Sequence, residues 1–398
     1  MIHGNLNVNQ NSILFLTNSY PDFDCSYRAI FVKKMAELLE REGYQVSIVT
    51  PRIYKNSRYS EEKDGRKVYR FPFFARNRLL IEYKKIPYLR MLLYYISGFC
   101  LTLYIAIKNQ CSLIHVHWAI PTGLIAVLAG KLLNRPFIVT IHGSDFRMAA
   151  EGSKLLRKIF LYVCEKSKQI ICVSQVQQRG IEEMGVRREK VLTLPMGIDE
   201  SFLAAGSRRR EKLDGQFHTI LSNRNLLPLY NVSLLVRAIP WVLREEPNAR
   251  FFIAGDGPER EALEKEARTL NVDPFVAFLG RVPHEKMADL LAQTEIYVST
   301  SLCDGTSVSL LEAMGSGAFP IVTDIPANRE WITSGQNGFL YPVEEEKCLA
   351  GRIIDAIHDG ALLEKSRMEN LSIVKEEAFW PANIEKICKI YSQVLKQA

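Results

Sequence analysis

Short apolar runs recur along this chain, each followed by a stretch with helical spacing, and that alternation restricts it to a small set of folds. In the first half the runs are Ile13–Thr17, Gln45–Thr50, Val68–Phe71, Leu113–His117, Phe137–Ile141, Ile170–Val173 and Val191–Leu194. Runs this short and this apolar read as strands buried in a parallel sheet. The segments between them, Phe31–Arg41 and Gly123–Leu133 included, carry helical periodicity, which gives the strand-helix-strand order of a doubly wound α/β sheet. A second series follows: Thr219–Leu221, Arg250–Ala254, Val276–Leu279, Ile296–Ser299 and Phe319–Val322. Two Rossmann-like domains, 1–199 and 200–378, are therefore expected, joined near Pro195-Met196-Gly197-Ile198-Asp199 and the charged stretch Ser207–Gln216. At 398 residues the chain exceeds the ~250–300 at which single cores divide, and each half can hold its own.

In open sheets of this kind, ligands sit beyond the carboxyl ends of the strands. Those loops are polar here: His142-Gly143-Ser144-Asp145, Gly255-Asp256-Gly257-Pro258-Glu259, Gly280-Arg281, and the block from Asp304 to Gly317. In the last of these Thr306 or Ser307 can cap a helix, leaving first-turn amides to meet an anion such as a diphosphate. Asp304 precedes the cap, free to accept hydrogen bonds from sugar hydroxyls, and Glu312 lies about two turns further along. An amphipathic helix with an acidic start is the alternative reading of the same spacing. Gly255-Asp256-Gly257 opens like a dinucleotide fingerprint, but Arg260 stands where the third glycine is needed, so a nicotinamide cofactor is not expected. His115 and His117 are read as facing opposite sides of their strand. On that reading, and on the reading that no Asp-x-Asp or hard-cation cluster is present, no divalent ion is predicted.

The net charge of +7 is uneven, with +13 on residues 1–199 and −6 on the remainder. A basic first half suits an anionic partner, either a phosphorylated substrate or an acidic membrane, and no nucleic-acid partner is expected. From Arg76 to Arg90 basic residues alternate with Leu79, Leu80, Ile81, Tyr83, Ile86, Tyr88 and Leu89, as in a membrane-surface segment, although Pro87 rules out one unbroken helix. A solvated loop is the plainer reading of that segment. The uncharged run Met91–Ile107 is expected to be a buried core helix, which leaves any membrane contact peripheral. No basic region precedes an apolar one at the start, so a secretory signal is not expected. Eight cysteines without a C-x-x-C pair fit a reducing cytoplasm.

Several motifs together resemble the retaining GT-B glycosyltransferases of family 4 over essentially the whole chain. They are Gly43-Tyr44-Gln45-Val46 ahead of Pro51, His117-Trp118-Ala119, His142-Gly143-Ser144-Asp145, Pro195-Met196-Gly197-Ile198-Asp199 and Gly255-Asp256-Gly257-Pro258. Most specific is the D-x7-E block, with Glu312-Ala313-Met314 and Gly317, followed by Asn337-Gly338-Phe339-Leu340. The resemblance implies two domains facing a cleft, and a last helix over 379–398, after Trp380-Pro381, that crosses back to the first domain. It implies that Asp304 stands where the first acid of the family's E-x7-E signature meets donor-sugar hydroxyls, and Glu312 where the second binds the ribose. Gly305 and Thr306, with the amides of Ser307, Val308 and Ser309, would hold sugar and phosphate oxygens. His142 would lie near the donor sugar, as a catalytic residue beside Asp304, and Gly280-Arg281-Val282 beside the base.

The chain departs from that pattern in three places. Asp304 is one methylene shorter than the usual Glu. The usual phosphate clamp appears as Arg224-Asn225-Leu226-Leu227-Pro228-Leu229-Tyr230-Asn231, with Asn225 at the arginine position and Tyr230 at the lysine position, so both charges are missing and Arg224 is the substitute to consider, with Lys33 and Arg28 further candidates. Ala29 replaces the glycine of the first loop.

The activity so implied is a metal-independent, cytoplasmic glycosyltransferase of hexosyltransferase type. It would take a nucleotide-sugar as substrate, with no other cofactor, and a lipid-linked or anionic saccharide acceptor in cell-surface polysaccharide or lipopolysaccharide assembly, in peripheral contact with an anionic membrane. The acceptor assignment rests on the basic first half. Electrostatic stabilisation of the departing diphosphate is the main task, and retention would follow from same-face attack, with no covalent nucleophile named. The lost clamp favours the alternative, a catalytically weak GT-B pseudoenzyme serving as a binding or partner subunit. A phosphorylase of the same fold would need a lysine placed for pyridoxal phosphate, which is not found.

Overall fold

The structure is a computed structural model, described here for residues 9–23, 28–63, 65–75, 77, 87–207 and 217–397. It divides into two compact units, one comprising Met1–Leu194 with Asn383–Ala398 and the other Pro195–Ala382.

The first unit is built on β1 (Asn9–Thr17), β2 (Gln45–Arg52), β3 (Ser60–Lys63), β4 (Arg66–Pro72), β5 (Cys111–His117), β6 (Phe137–Ile141), β7 (Gln169–Cys172) and β8 (Val191–Thr193). They form one sheet in the order β3-β4-β2-β1-β5-β6-β7-β8, parallel except where β3 runs against β4. Every apolar run singled out in this half falls on a strand. The exception in the other direction is β3, whose Ser-Glu-Glu-Lys sequence offers no apolar pattern and which pairs only at the edge. Strand order reverses between β1 and β5, so the loops leaving those two strands diverge at their carboxyl ends, the place where ligands sit in sheets of this kind.

The second unit has β9 (His218–Ser222), β10 (Ala249–Ala254), β11 (Val276–Gly280), β12 (Ile296–Ser299), β13 (Phe319–Thr323) and β14 (Phe339–Tyr341), all parallel in the order β11-β10-β9-β12-β13-β14. The reversal here lies between β9 and β12. Each unit has its own apolar core, centred on Leu14, Phe71, Ile114 and Val139 in the first and on Ile220, Ile239, Phe251 and Val298 in the second.

One expectation needs correcting. The helix Tyr88–Lys108, which contains Met91–Ile107, is not buried all round. Tyr94, Gly98, Thr102, Ile105 and Ala106 face the core, and Gly98 packs so tightly that an added Cβ would meet Ile125 and Phe71. Its other face exposes Tyr88, Leu89, Leu92, Ile96, Tyr104 and Ile107. By length and composition it could cross a membrane. Most of the basic segment Arg76–Arg90 that precedes it, and the junction after Ser207, lie outside the described residues.

Candidate functional site

In the second unit the switch-point loops bring together residues 80 positions apart. Arg224 follows β9 and Asp304 follows β12, the two strands flanking the reversal. Arg224 Nη2 donates to Asp304 Oδ2 at 2.6 Å and Nη1 donates to Ser307 Oγ at 2.8 Å. The guanidinium lies 4.2 Å from the ring centroid of Tyr230, so the tyrosine at the lysine position of the clamp carries the arginine on its face. Burial alone would weaken the charge on Arg224, but Asp304, with Tyr297 and Tyr230, more than offsets this and raises its pKa. Its Nε is buried with no hydrogen-bond partner. Arg224 is thus fixed against the first acid, not reaching out alone. Asn225 is exposed.

Ser307 caps the helix Val308–Gly315, its Oγ accepting from Leu310 N at 3.3 Å. The amides of Val308 and Ser309 belong to the first turn, where the helix supplies no carbonyl for them. Ser309 Oγ donates to the Asn223 carbonyl at 3.5 Å, and Gly305 N donates to its neighbour Asp304 Oδ1 at 3.0 Å. Gly305 and Thr306 complete the half-buried loop ahead of the cap.

Glu312 sits on the same helix, 7% exposed, and is engaged by a residue the sequence did not suggest. His284 Nε2 lies 2.9 Å from Glu312 Oε1, and its Nδ1 is 3.8 Å from Asp199 Oδ2. The hydrogen bond to Glu312 raises the His284 pKa, burial opposes it, and the charges of Glu312, Asp199 and Glu285 add to the rise. The position of His284 at the start of the helix that follows β11 was the available signal, since strand-end loops are where chemistry gathers. Tyr297 on β12 feels Arg224, Asp304 and Glu312 together, and its buried phenol is pushed up to about 12 mainly by burial.

Gly280, buried with φ +66°, ends β11, followed by exposed Arg281 and half-buried Val282. Arg281 Nε donates to Asp256 Oδ2 at 3.0 Å. Gly255 and Gly257 owe their place to packing, because a Cβ on either would run into the carbonyl oxygens of Arg224 and Leu226. The glycines thus let the Asp256 loop lie directly on the Arg224 loop.

In the first unit, Asp145 ties two strand-end loops together. Its Oδ2 accepts from Ala119 N at 2.7 Å, and its Oδ1 accepts from His142 N and Gly143 N, each at 3.2 Å. Burial lifts its pKa to about 6, against the pull of those backbone donors. Half-buried His142 is bracketed by Trp118, ring centroids 4.3 Å apart, and Phe31, 4.9 Å. Behind it, His117 Nδ1 lies 3.0 Å from His142 Nε2, and His115 and His117 stack at 4.4 Å. These two histidines share a face. Residues two apart on a strand point the same way, and the expectation of opposite faces was wrong.

Contrary to the reading that no Asp-x-Asp is present, Asp22-Phe23-Asp24 has that form. Asp22 is buried, accepts from Ser57 Oγ at 2.7 Å, and faces the guanidinium groups of Arg28 and Arg70. Asp24 lies outside the described residues. Among the described residues no group of three or more His, Cys, Asp or Glu is placed to hold a metal ion.

Residues 206–371 match the family described as Glycosyl transferases group 1, and residues 29–202 match Glycosyltransferase Family 4. Among curated proteins, a phosphatidylinositol N-acetylglucosaminyltransferase subunit of Schizosaccharomyces pombe is 26% identical over 297 residues, 74% of this chain and 63% of its own length. The alpha-monoglucosyldiacylglycerol synthase of Streptococcus pneumoniae is 25% identical over 346 residues, 83% of this chain and 74% of its own. The chain thus spans somewhat less than two thirds of the first of these relatives. Among solved structures, sucrose-phosphate synthase from Thermosynechococcus elongatus superposes with a TM-score of 0.79 at 17% identity, over 97% of this chain and 100% of that one. Anabaena HepE in complex with UDP-glucose does so with a TM-score of 0.74 at 17% identity, over 96% and 99%. At that identity these two establish the GT-B-like fold.

Proposed function

Because the chain belongs to glycosyltransferase family 4, whose members typically act with retention, we propose that it moves a sugar from a nucleotide-sugar donor to an acceptor, with the donor held by the second unit. The observation that carries this reading is the acid-flanked start of the helix Val308–Gly315. There Asp304 and Glu312 supply acceptors for hydroxyls, the first-turn amides of Val308 and Ser309 supply donors for phosphate, and Arg224 adds a fixed positive charge. Gly280, Arg281 and Val282 would line the base end and Glu312 the ribose. The diphosphate leaves with its charge met by groups already in place, which is where the rate is gained. HepE was solved with UDP-glucose, which makes a UDP-sugar the first donor to try.

The acceptor we propose is lipid-linked or an anionic saccharide, in cell-surface polysaccharide or lipopolysaccharide assembly, met by a protein resting on the cytoplasmic face of a membrane. Support comes from the basic first half, from the apolar outer face of the helix Tyr88–Lys108 with Arg90 and Lys108 near its ends, and from two relatives whose names include a lipid. The test is nucleotide release across UDP-, GDP- and ADP-sugars, with Asp304→Ala and Glu312→Ala alongside. Release lost in both variants is expected. Turnover that survives both would refute the site, and donor binding without any release would favour the weak-pseudoenzyme reading.

A further inference from the structure

Behind His142 the first unit holds a line of buried polar rings for which sugar transfer as described has no use. Tyr391, from the helix Trp380–Lys396, places its hydroxyl 2.6 Å from His115 Nδ1, and Thr140 Oγ1 lies 2.7 Å from His115 Nε2. His115 stacks on His117, His117 reaches His142, and Phe15 packs against both inner rings at 5.1 and 4.8 Å. His115 and His117 are fully buried. The line therefore runs from the C-terminal helix through the sheet to a strand-end residue.

The hydrogen-bond count in this line fixes where protons sit. His117 Nε2 is buried and has no partner. A buried N–H without an acceptor is among the rarest features of folded proteins, so the bare nitrogen carries the lone pair and the proton is on Nδ1. His117 Nδ1–H then donates to His142 Nε2, which must be the unprotonated nitrogen of its ring, and the proton of His142 is on Nδ1. Burial holds all three pKa values far below the usual range, those of His115 and His142 at about 3, and neighbouring histidines add to the effect at His117 and His142, so each ring is neutral.

We propose that His117 is a positioning residue that locks His142 as its Nδ1–H tautomer, making this strand-end ring a fixed hydrogen-bond donor to a ligand oxygen and barring it from service as a base. This rests on the proposed sugar transfer, with His142 taken as a residue of the first unit that contacts substrate. His115, held at both nitrogens, is the flat surface against which the His117 ring keeps its plane. Free imidazole side chains favour the other tautomer, so without His117 the proton of His142 moves to Nε2 and the Nδ1–H donor is lost.

The test uses the full chain labelled with 15N-histidine and two-bond proton–nitrogen correlation spectra, with the His142 signals identified by their loss in His142→Gln. The expected wild-type spectrum shows His142 neutral and protonated at Nδ1 from pH 6 to 8. In His117→Phe the protonated nitrogen switches to Nε2, and kcat/KM for UDP-sugar turnover falls roughly 10–100-fold, within the range of one positioned donor. His117→Asn, whose amide nitrogen stands near the place of Nδ1, restores the Nδ1–H signal and most of the rate. A wild-type spectrum with His142 protonated at Nε2, or an unchanged tautomer in folded His117→Phe, would overturn the proposal. The spectra need no substrate, so full turnover by His142→Ala would instead overturn the reading of His142 as a substrate contact and leave the tautomer assignment in force.

Discussion

Arg224 and Asp304 form an ion pair of 2.6 Å at the strand-order reversal of the second unit, and the pair ties the loop after β9 to the loop after β12. It puts a permanent cation beside the acid expected to meet sugar hydroxyls, at the place where the family's clamp charges are missing. Removing either partner leaves the other charge largely out of water. Because Asp304 retains 17% exposure, Arg224→Met should cost about 2–3 kcal/mol, less than the ~3–5 of a fully buried pair. Urea unfolding of Arg224→Met, Asp304→Asn and the double variant should give a coupling above about 1 kcal/mol. Additive effects would mean the pair is incidental.

Gly257→Ala checks how that arginine is held. The new Cβ would press on the Leu226 carbonyl oxygen and displace the Arg224 loop. A stability loss of about 1–3 kcal/mol is expected, with weaker UDP binding by titration calorimetry. Unchanged UDP affinity would separate the Asp256 loop from the donor site.

His284 gives a pH signature with a definite sign. Its folded pKa lies above the unfolded value, so its bond to Glu312 stabilises the fold fully below about 6.5, and that contribution is lost as pH rises through the raised value. Wild-type Tm should therefore fall across that window relative to Glu312→Gln, in which the pairing is absent. Parallel Tm curves for the two proteins would count against it.

The buried pair His115 and His117 of the first unit acts in the opposite sense. Their folded pKa values are depressed, so the unfolded chain binds protons that the native state does not, and stability is lost as pH falls below about 6.5 towards 3. Each contributes a slope of up to about 1.4 kcal/mol per pH unit. Urea midpoints measured from pH 7 to 4.5 should fall less steeply in His115→Gln than in wild type.

Ala29 adopts φ +48° at the start of the helix Ile30–Arg41, where glycine would be unstrained. Ala29→Gly should be neutral to stabilising by up to about 1 kcal/mol, while Ala29→Val should destabilise by more. Thermal unfolding of the two variants is sufficient to tell.

Strand positions were legible because buried parallel strands are written as apolar runs, and the Asp304–Glu312 block because a cap, a loop acid and a helix acid keep fixed spacing. Three features were not. The Arg224–Asp304 pairing depends on which strands flank the reversal, and strand order is not written locally. His284 gains its meaning only from Glu312 and Asp199 packed beside it. The helix Tyr88–Lys108 is apolar on both faces, so its composition could not say which one the core would take. The histidine pair was legible in principle, because the period of two along a strand puts both rings on one side.

Tyr391 belongs to a stretch that the ribosome makes after the whole of Pro195–Ala382, yet it packs with Asn383–Ala398 in the first unit. The first sheet must therefore wait, exposed at the His115 pocket, while nearly two hundred further residues are synthesised. A chain stalled or cut before that helix would carry an unfinished N-terminal unit beside a complete second one, and would be a natural client for chaperones.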